Sequence, residues 1–517
     1  MRRALVSVTD KTGVVEFCKG LEELGFEIVS TGGTKKVLIA GGVKAIDISD
    51  VTGFPEILDG RVKTLHPMVH GGLLAVRDKQ SHVAELEKHN INYIDLVCVN
   101  LYAFKKTIES GASFDDAVEN IDIGGPSMLR SAAKNHKFVT VVSDINDYDT
   151  ILKEIKELGD TTYETRLKLA AKVYTLTAEY DTMIAKYMRE KAGLNEKLFI
   201  EADLVQSLRY GENPHQNAKF YATNSNLSYS LANAKQIQGK ELSYNNIQDA
   251  NAALNIVREF GDVPFAMGLK HMNPCGAAVG KDLKEAWLKA YESDPVSIFG
   301  GIVATNQTID EEAANLIKFD HGEKGKSIFL EVILAPGFTE GALKAFAKRP
   351  DLRLIEFKLG DYPKQEQYVT VNGGLLVQDQ DVETKTVTED MTVTNTKPTA
   401  SQLADMDFGW KIVKHVKSNA IVVVKNGTTC GVGAGQMNRV GAAKIAIEEA
   451  HSRGVKEGLV LASDAFFPFA DTLEYGIANG VVAVVQPGGS KKDQDSIDLA
   501  NEKNVPMAFT GMRHFKH

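Results

Sequence analysis

The sequence predicts an α/β protein with a parallel-sheet domain at its N-terminus and a duplicated α/β region after it. Near the N-terminus, the apolar runs 4–8 and 26–29 have the length of buried strands. The stretch between them carries apolar residues at helical spacing, so the order strand, helix, strand indicates a βαβ unit. In the second half, segments 268–280 and 425–435 repeat one pattern, in which a lysine precedes Cys-Gly by the same interval.

Length and composition are typical of a multidomain enzyme rather than of a nucleic-acid or membrane protein. The chain has 517 residues, which corresponds to about three domains. A net charge of −9 argues against bulk attraction to nucleic acid or membranes, and the start of the chain does not read as a signal peptide. The four cysteines are scattered without a Cys-x-x-Cys pair. We therefore expect a cytoplasmic protein without disulfides or a structural zinc.

Two loops rich in hydroxyl groups and glycine follow the first two predicted strands. Taken singly, each loop is better explained as a helix N-cap. Consecutive parallel strands, however, end at the same edge of a sheet, where helix N-termini bind anions. Together the loops therefore predict a phosphate pocket. They are 7–12, which includes Ser7 and Lys11, and 30–34, which includes Thr31, Gly32 and Gly33.

Later loops of the N-terminal region carry acid, base and phosphate-binding groups. Segments 60–67 and 121–126 are punctuated by glycine and proline, so neither is typical of a solvated helix face. Each polar side chain taken singly could be a surface residue or a helix cap. The candidates are Arg61, Lys63, Tyr102, Asp122 and Lys134.

Lys270 and His271 stand side by side where a buried strand is predicted to end. Histidine exchanges protons near neutral pH, so the pair suits proton transfer, although a surface Lys-His pair would look the same. Because proline fixes φ and lacks an N–H, we expect a turn at 273–274. In the repeat, Asn426 takes the place of His271. A proton-transfer group in one copy and an amide in the other suggests two units that face a shared cleft.

An aromatic cluster follows another predicted strand in segment 463–471, which includes Phe466, Phe469 and Asp471. Such a cluster at a strand end is either a plug in the core or a platform for a planar heterocycle.

These segments together resemble the bifunctional family that joins aminoimidazolecarboxamide ribonucleotide (AICAR) formyltransferase to IMP cyclohydrolase in purine biosynthesis. The resemblance implies a methylglyoxal-synthase-like α/β domain over 1–195. It implies two cytidine-deaminase-like subdomains over 196–378 and 379–517, and a homodimer whose transferase sites are shared between subunits. So many segments in the right order argue against chance. The segments are 7–12, 30–34, 60–67, 100–102, 121–125, 208–216, 270–280, 425–436 and 463–471.

For formyl transfer, the resemblance implies 10-formyltetrahydrofolate as the donor, the amine of AICAR as the acceptor, and catalysis by Lys270, His271 and Asn426. The amine is a weak nucleophile, so His271 would take its proton, while Lys270 and Asn426 would stabilise the oxyanion. Glu331 stands where many members of the family carry aspartate. The residues implied to hold the nucleotide or folate are Arg209, Tyr210, Asn246, Phe299, Gly300, Glu331, Phe466, Phe469, Asp471 and Arg513.

For ring closure of formyl-AICAR to IMP, with loss of water, the resemblance implies catalysis by Lys63, Tyr102, Asp122 and Lys134. Much of the acceleration would come from folding the substrate into an attacking conformation. No metal is expected in either site. The phosphate and ribose would be held by Ser7, Lys11, Thr31, Gly32, Gly33, Arg61 and Thr64.

Two other functions are weighed against this one. A zinc deaminase would need a Cys-x-x-Cys pair and a His-x-Glu acid/base, whereas Cys275 and Cys430 are single. A nucleotide sensor without catalysis is a second possibility for the N-terminal domain, because folds do not dictate function. The catalytic set that the resemblance implies, from Lys63 to Lys134, argues against a sensor.

Overall fold

The computed structural model describes residues 2–223, 227–319, 326–360, 362 and 364–517. The chain divides into two compact units, Met1–Glu201 and Ala202–His517. Each unit combines helices and strands around its own buried apolar residues. Among the described helices, none combines the length and the apolar character that crossing a membrane requires.

The first unit is built on a five-stranded sheet in the order β3-β2-β1-β4-β5, in which all neighbours are parallel. This confirms the parallel sheet that the sequence predicts. Because β1 and β2 are adjacent and parallel, the loops that follow them open at the same edge. The strands are β1 Arg2–Ser7, β2 Phe26–Ser30, β3 Ala45–Asp47, β4 Leu96–Val99 and β5 Thr140–Val142.

Helices of the first unit cover this sheet with their apolar sides. In α1, for example, Val14, Phe17, Cys18 and Leu21 recur at helical spacing and are buried against the strands. The helices are α1 Val14–Glu23, α2 Gly32–Ala40, α3 Ile48–Thr52, α4 Pro67–Leu74, α5 Gln80–Lys88, α6 Phe104–Glu109, α7 Phe114–Glu119, α8 Gly124–Lys134, α9 Tyr148–Leu158 and α10 Tyr163–Lys191.

The second unit is built on an 11-stranded mixed sheet in the order β20-β19-β18-β16-β17-β10-β9-β11-β12-β13-β8. Two separate hairpins, β6–β7 and β14–β15, stand apart from it. The strands are β6 Asp203–Leu208, β7 Ala218–Ala222, β8 Lys235–Gln238, β9 Phe265–Lys270, β10 Asn273–Val279, β11 Ile302–Thr305, β12 Val332–Ala335, β13 Arg353–Glu356, β14 Glu366–Val371, β15 Gly374–Asp379, β16 Ile421–Lys425, β17 Thr428–Gly433, β18 Leu459–Ser463, β19 Val481–Gln486 and β20 Met507–Phe509.

The strand order of this sheet repeats itself about the central β10–β17 pair. In the first half, β9 and β10 form a hairpin, β11 pairs antiparallel with β9, and β12 and β13 continue in parallel with β11. In the second half, β16 and β17 form the hairpin, β18 pairs antiparallel with β16, and β19 and β20 continue in parallel with β18. Residues of α11 and α15 pack in one core shared by both halves, while the other helices form a separate core in each half. The helices are α11 Tyr244–Val257, α12 Leu283–Ser293, α13 Glu311–Ile317, α14 Glu340–Phe346, α15 Ala400–Val413, α16 Arg439–Ser452, α17 Asp471–Ala478 and α18 Asp493–Glu502.

The turn that we expected at 273–274 lies two residues earlier. His271 and Met272 both have positive φ, 51° and 62°, and connect β9 to β10. Pro274 instead lies inside β10, where the pairing register shifts between Pro274 and Gly276. A strand irregularity accommodates a residue that cannot donate a ladder hydrogen bond, so the expected turn at 273–274 was wrong.

Candidate active sites

A cavity of about 630 Å³ opens in the first unit where β1, β2 and β4 end. It lies at the carboxyl edge of the parallel sheet, which is where α/β proteins bind ligands. The structure thus brings together most of the residues that the sequence singled out in this unit. The predicted residues that line it are Ser7, Lys11, Thr31, Gly32, Gly33, Arg61, Lys63, Thr64, Tyr102 and Asp122.

One end of this cavity is rich in groups that bind an anion. The Ser7 Oγ and Thr31 Oγ1 atoms are 2.7 Å apart, which joins the loops after β1 and β2. Thr31 precedes α2, so the first N–H groups of this helix point toward the cavity edge. Hydroxyl groups, backbone N–H groups and a helix N-terminus therefore converge at the place where the sequence predicts a phosphate.

Asn100 is a lining residue to which the sequence analysis assigned no role. Its Oδ1 atom accepts hydrogen bonds from the N–H groups of Thr9 and Asp10, at 2.5 and 3.0 Å, and its Nδ2 donates to the Asp10 carbonyl at 2.9 Å. It therefore fixes the loop after β1 from the end of β4. No signal in the sequence pairs residues so far apart in the chain.

Asp122 is a half-buried residue of the cavity lining, just before α8. Burial raises the pKa of Asp122, and the N–H groups of Gly125 and Tyr102 and the charge of Lys63 act against this. The Gly125 N–H donates to Asp122 Oδ1 at 2.8 Å, and the Asp122 N–H donates to the Tyr180 hydroxyl at 2.8 Å. The carboxyl group is thus held in place by backbone contacts and lies near a cation.

The cations at this site have acidic neighbours of their own. Arg61 forms an ion pair with Glu119, a lining residue that the sequence analysis missed. Lys63 Nζ lies 3.3 Å from Glu56 Oε2. The Arg61 pair is largely exposed and the Lys63 pair is partly exposed. Exposed pairs contribute little stability, so an anionic ligand can compete for these cations.

Lys134 is the one proposed cyclisation residue that does not line this cavity. It is the exposed last residue of α8, whereas the N-terminus of the same helix lines the cavity. At about 1.5 Å per residue, the helix separates the two ends by roughly 15 Å.

In the second unit, Lys270 and His271 lie where the sequence predicts, at the end of β9. Lys270 Nζ donates to the carbonyl of Phe299 at 2.7 Å, which joins this strand end to the loop before β11. His271 is exposed. The lysine is therefore oriented by a backbone contact, and the imidazole is accessible to a ligand.

Strand register shows which other predicted residues share this end of the sheet. Ile302 pairs with Leu269, so the loop with Phe299 and Gly300 lies beside the end of β9. Glu331 precedes β12 at the same end, where its N–H donates to the Gly301 carbonyl at 3.0 Å and its carboxylate contacts Arg353 at 2.7 Å.

The aromatic segment and the C-terminus belong to this end too. Ser463 at the end of β18 pairs with Ile421 at the start of β16, and Ile421 pairs with Gly433 at the end of β17. Because β17 runs antiparallel to β10, the end of β17 lies at the same sheet end as the start of β10, which follows His271. The loop after β18 contains Phe467, which is 0% exposed, and Phe469, which is 56% exposed. Phe467 is therefore a plug in the core, whereas Phe469 is accessible and its predicted role as a platform stays a prediction. Phe466 is half-buried, Asp471 is exposed at the start of α17, and Arg513 follows β20.

Asn426 lies at the other end of the sheet. Strands β10 and β17 are antiparallel, with Ala278 opposite Thr428, and the Val279 N–H donates to the Gly427 carbonyl at 2.9 Å. The 7 residues of β10, at about 3.3 Å each, separate the two turns by roughly 20 Å. Within one chain, His271 and Asn426 therefore do not face a shared cleft, so the expected cleft could form only between two subunits.

Asn419 is an amide at the end where His271 lies. The Oδ1 atom of Asn273 accepts from the Lys417 N–H at 3.0 Å, which places the segment before β16 beside the His271 turn. Asn419 is half-buried, donates to the Gln436 carbonyl at 2.8 Å and accepts from Arg439 at 2.8 Å. The sequence repeat gave no reason to single it out.

The remaining predicted binding residues lie around α11. Asn246 is 8% exposed. Its Oδ1 atom accepts from the Ser243 N–H at 3.2 Å and its own N–H donates to the Ser243 hydroxyl at 3.1 Å, so a capping role accounts for it. Arg209 lies over the ring of Tyr210 at 5.5 Å, in a loop that contacts the start of α11 through Asn245 and the Glu212 carbonyl, at 3.4 Å. Across the described ranges, no three His, Cys, Asp or Glu side chains converge as metal ligands.

Comparisons with known proteins match the whole chain. Residues 132–449 match the sequence model of the AICARFT/IMPCHase bienzyme family, and residues 13–127 match that of the MGS-like domain. The bifunctional purine biosynthesis protein PurH of Anoxybacillus flavithermus is 55% identical over 520 residues, and that of Bacillus cytotoxicus is 54% identical over 522. The PurH of Lactobacillus acidophilus is 53% identical over 522 residues, and each comparison covers 100% of both chains.

Among solved structures, the chain titled "Crystal structure of ForH" is 38% identical and covers 36% of this chain and 97% of its own, with a TM-score of 0.33.

Proposed function

This chain belongs to the AICARFT/IMPCHase bienzyme family of purine biosynthesis, and from that premise we propose which residues carry its two reactions. The enzyme transfers a formyl group to AICAR and then closes formyl-AICAR to IMP. We propose 10-formyltetrahydrofolate as the formyl donor. We also propose that the reactions divide between 1–195 and two cytidine-deaminase-like subdomains, 196–378 and 379–517, in a cytoplasmic homodimer.

Ring closure is assigned to the cavity of the first unit. The observation that carries this is that anion-binding groups and a half-buried carboxyl group line one space of about 630 Å³. With the phosphate held at Ser7, Thr31 and the start of α2, where Lys63 Nζ lies 4.0 Å from a Cβ atom built on Gly32, the base would extend toward Asp122. A phosphate fixed at one end restricts the substrate to the folded conformation in which the carboxamide nitrogen meets the formyl carbon.

Polar groups of the same cavity then act on the formyl oxygen and the leaving water. Lys63 supplies positive charge next to the oxygen that gains charge as the nitrogen attacks. Asp122, whose pKa is raised by burial, exchanges a proton more readily near neutral pH than an exposed carboxyl group does. Tyr102 lines the same cavity. Lys134, which lies outside it, is the weakest member of the proposed set.

Formyl transfer is assigned to the sheet end that carries His271. His271 is exposed and takes the proton from the amine of AICAR as it attacks the formyl carbon. Lys270, held by the Phe299 carbonyl at 2.7 Å, stabilises the oxyanion of the tetrahedral intermediate. The exposed ring of Phe469 and the Phe299–Gly300 turn offer surfaces for the planar groups of folate and nucleotide. The Glu331 carboxylate forms an ion pair with Arg353 at 2.7 Å, so a contact with folate would have to be made alongside this pair.

An amide donor for that oxyanion has two candidates. Asn426 could reach His271 only from a second chain, because about 20 Å of strand separates them within one. Asn419 lies near His271 in the same chain, through the contact of Asn273 with Lys417. Losing an oxyanion donor lowers kcat by about 10²–10³. Of Asn426→Ala and Asn419→Ala, only the variant that lacks the true donor should show this loss.

An exposed apolar hairpin supports the homodimer. An isolated two-stranded hairpin is marginally stable in water, and both faces of this hairpin carry exposed apolar side chains, which another protein surface could cover. A second copy of this chain is the occupant that would also bring Asn426 to His271. The exposed apolar residues of β14–β15 include Val369, Val371, Leu375, Leu376 and Val377, each between 43% and 61% exposed.

Separate assays test the assignment. His271→Ala should abolish formyl transfer while supplied formyl-AICAR is still converted to IMP. Lys63→Ala should make formyl-AICAR accumulate from AICAR and 10-formyltetrahydrofolate. Each variant is thus the control for the other, and loss of both reactions in either folded variant would refute the two-site assignment.

Mixing inactive variants tests whether a second chain completes the transferase site. If His271 and Asn426 act together across two chains, a mixture of His271→Ala and Asn426→Ala regains formyl transfer, because one site of each mixed dimer is intact. If Asn419 serves His271 within one chain, Asn419→Ala is inactive and its mixture with His271→Ala stays inactive. Full activity of Asn426→Ala alone would remove that residue from the mechanism.

A further inference from the structure

The two hairpin turns of the duplicated sheet have the same backbone conformation but very different sequences. In the second copy the turn is Asn426-Gly427, with φ of 53° and 66°, and in the first it is His271-Met272, with φ of 51° and 62°. A two-residue turn with both φ positive strongly favours Asn-Gly. His271 and Met272 therefore occupy a conformation that their side chains disfavour.

An aspartate on the preceding helix contacts each of these turns. Asp249 Oδ1 accepts from the Met272 N–H at 2.8 Å, and the backbone of His271 also donates to this carboxylate. Asp405 accepts from the N–H groups of Asn426 and Gly427, at 2.9 and 2.6 Å.

The two aspartates hold equivalent positions in the two halves. Asp249 follows the N-cap Ser243 of α11 by six residues, and Asp405 follows the N-cap Thr399 of α15 by six residues. The same contact thus occurs twice, but only the first turn consists of residues that would avoid this conformation on their own.

We propose that Asp249 is a positioning residue for formyl transfer: its carboxylate holds the His271-Met272 turn in the left-handed conformation and so fixes where the imidazole points. This rests on the proposed role of His271 as the base. Strain of this kind persists where surrounding contacts enforce it, and it is concentrated at functional sites. Two charge-assisted contacts from one carboxylate to successive N–H groups are well suited to enforce it.

Truncation of Asp249 in the full-length enzyme measures this effect. Asp249→Ala should lower kcat for formyl transfer by about 10- to 100-fold, since a misplacement of about 1 Å can cost 10². The KM for AICAR should change by less than about threefold, because an effect confined to the base is seen in kcat. The rate of IMP formation from supplied formyl-AICAR, measured on the same sample, should stay at the wild-type value.

Two further variants separate positioning from general destabilisation. Asp249→Asn keeps an oxygen that accepts from the Met272 N–H, so its kcat should lie between those of the wild type and Asp249→Ala. Asp310→Ala is the matched control: Asp310 also accepts a backbone N–H, that of Ala313 at 2.8 Å, but follows β11 at the opposite sheet end. It should keep wild-type formyl transfer.

Rescue by glycine is the decisive measurement. Glycine adopts positive φ without steric cost. The kcat of the double variant Asp249→Ala, Met272→Gly should therefore be about tenfold higher than that of Asp249→Ala alone. No restoration would overturn the proposal, because the carboxylate would then act on the reaction by another route. Wild-type kcat in Asp249→Ala would overturn it as well, whereas wild-type transfer in His271→Ala would refute the proposed base instead.

Discussion

A methyl group at Gly125 tests whether Asp122 must lie where the structure places it. A Cβ atom built on Gly125 would lie 2.9 Å from Cγ of Asp122 and closer still to Oδ2, whereas ordinary contacts begin near 3.4 Å. The carboxyl group would therefore move by about 1 Å, which can cost about 10² in rate. We expect Gly125→Ala to lower kcat of cyclisation by that factor while formyl transfer remains unchanged.

The assay is the conversion of supplied formyl-AICAR to IMP, with formyl transfer by the same preparation as the internal control. If the added methyl group acts through Asp122, Gly125→Ala should have no further effect in an Asp122→Ala background, since residues that act as a unit are not additive. Cyclisation by Gly125→Ala within twofold of the wild type would refute the reasoning. An equal loss in both backgrounds would show that the methyl group acts elsewhere.

Glu119→Ala should free Arg61 for the substrate phosphate and lower the KM of cyclisation by up to about fivefold at low salt; initial-rate kinetics would contradict this if the KM were unchanged. Glu259→Gln should lower the free energy of unfolding by about 3–5 kcal/mol, because it leaves the buried Lys414, 2.9 Å away, without its counter-charge; urea unfolding measures the difference. Despite burial, hydrogen bonds and charges from His415 and Lys414 lower the pKa of Glu259 to about 2, and burial lowers the pKa of His415 to about 4. Both folded-state values lie below the ordinary ones, so the unfolded chain binds more protons in acid and stability should fall from about pH 6.5 toward pH 2. Denaturation midpoints that stay constant over this range would contradict it.

The cavity at the ends of β1 and β2 was predictable because it depends on local order in the sequence. The loops after β1 and β2 follow consecutive strands, and parallel neighbours bring their ends to one edge. The contact between Ser7 and Thr31 is the result. Asn100 and Glu119 were not predictable in the same way. Their partners lie 90 and 58 residues away in the chain, and no periodicity or motif encodes such a contact.

The duplication was visible in the sequence, but its geometry was not. Equal intervals from Lys270 to Cys275 and from Lys425 to Cys430 indicate a repeat, and the repeated strand order agrees with it. A repeat does not say how its copies pair. Because β10 and β17 pair in antiparallel register, equivalent turns lie at opposite ends of the sheet, and no cleft within one chain is shared by His271 and Asn426.

This antiparallel pairing also explains why the two turns can differ so much. Parallel pairing would have placed both turns at one end, where each would contact the same ligand. In the observed register each turn has a sheet end of its own, so one could keep Asn426-Gly427, which suits the backbone, while the other carries His271-Met272, which does not. A residue that breaks a local preference without an evident gain in stability points to function. By that criterion, the conformation of the first turn supports His271 as the base independently of family membership.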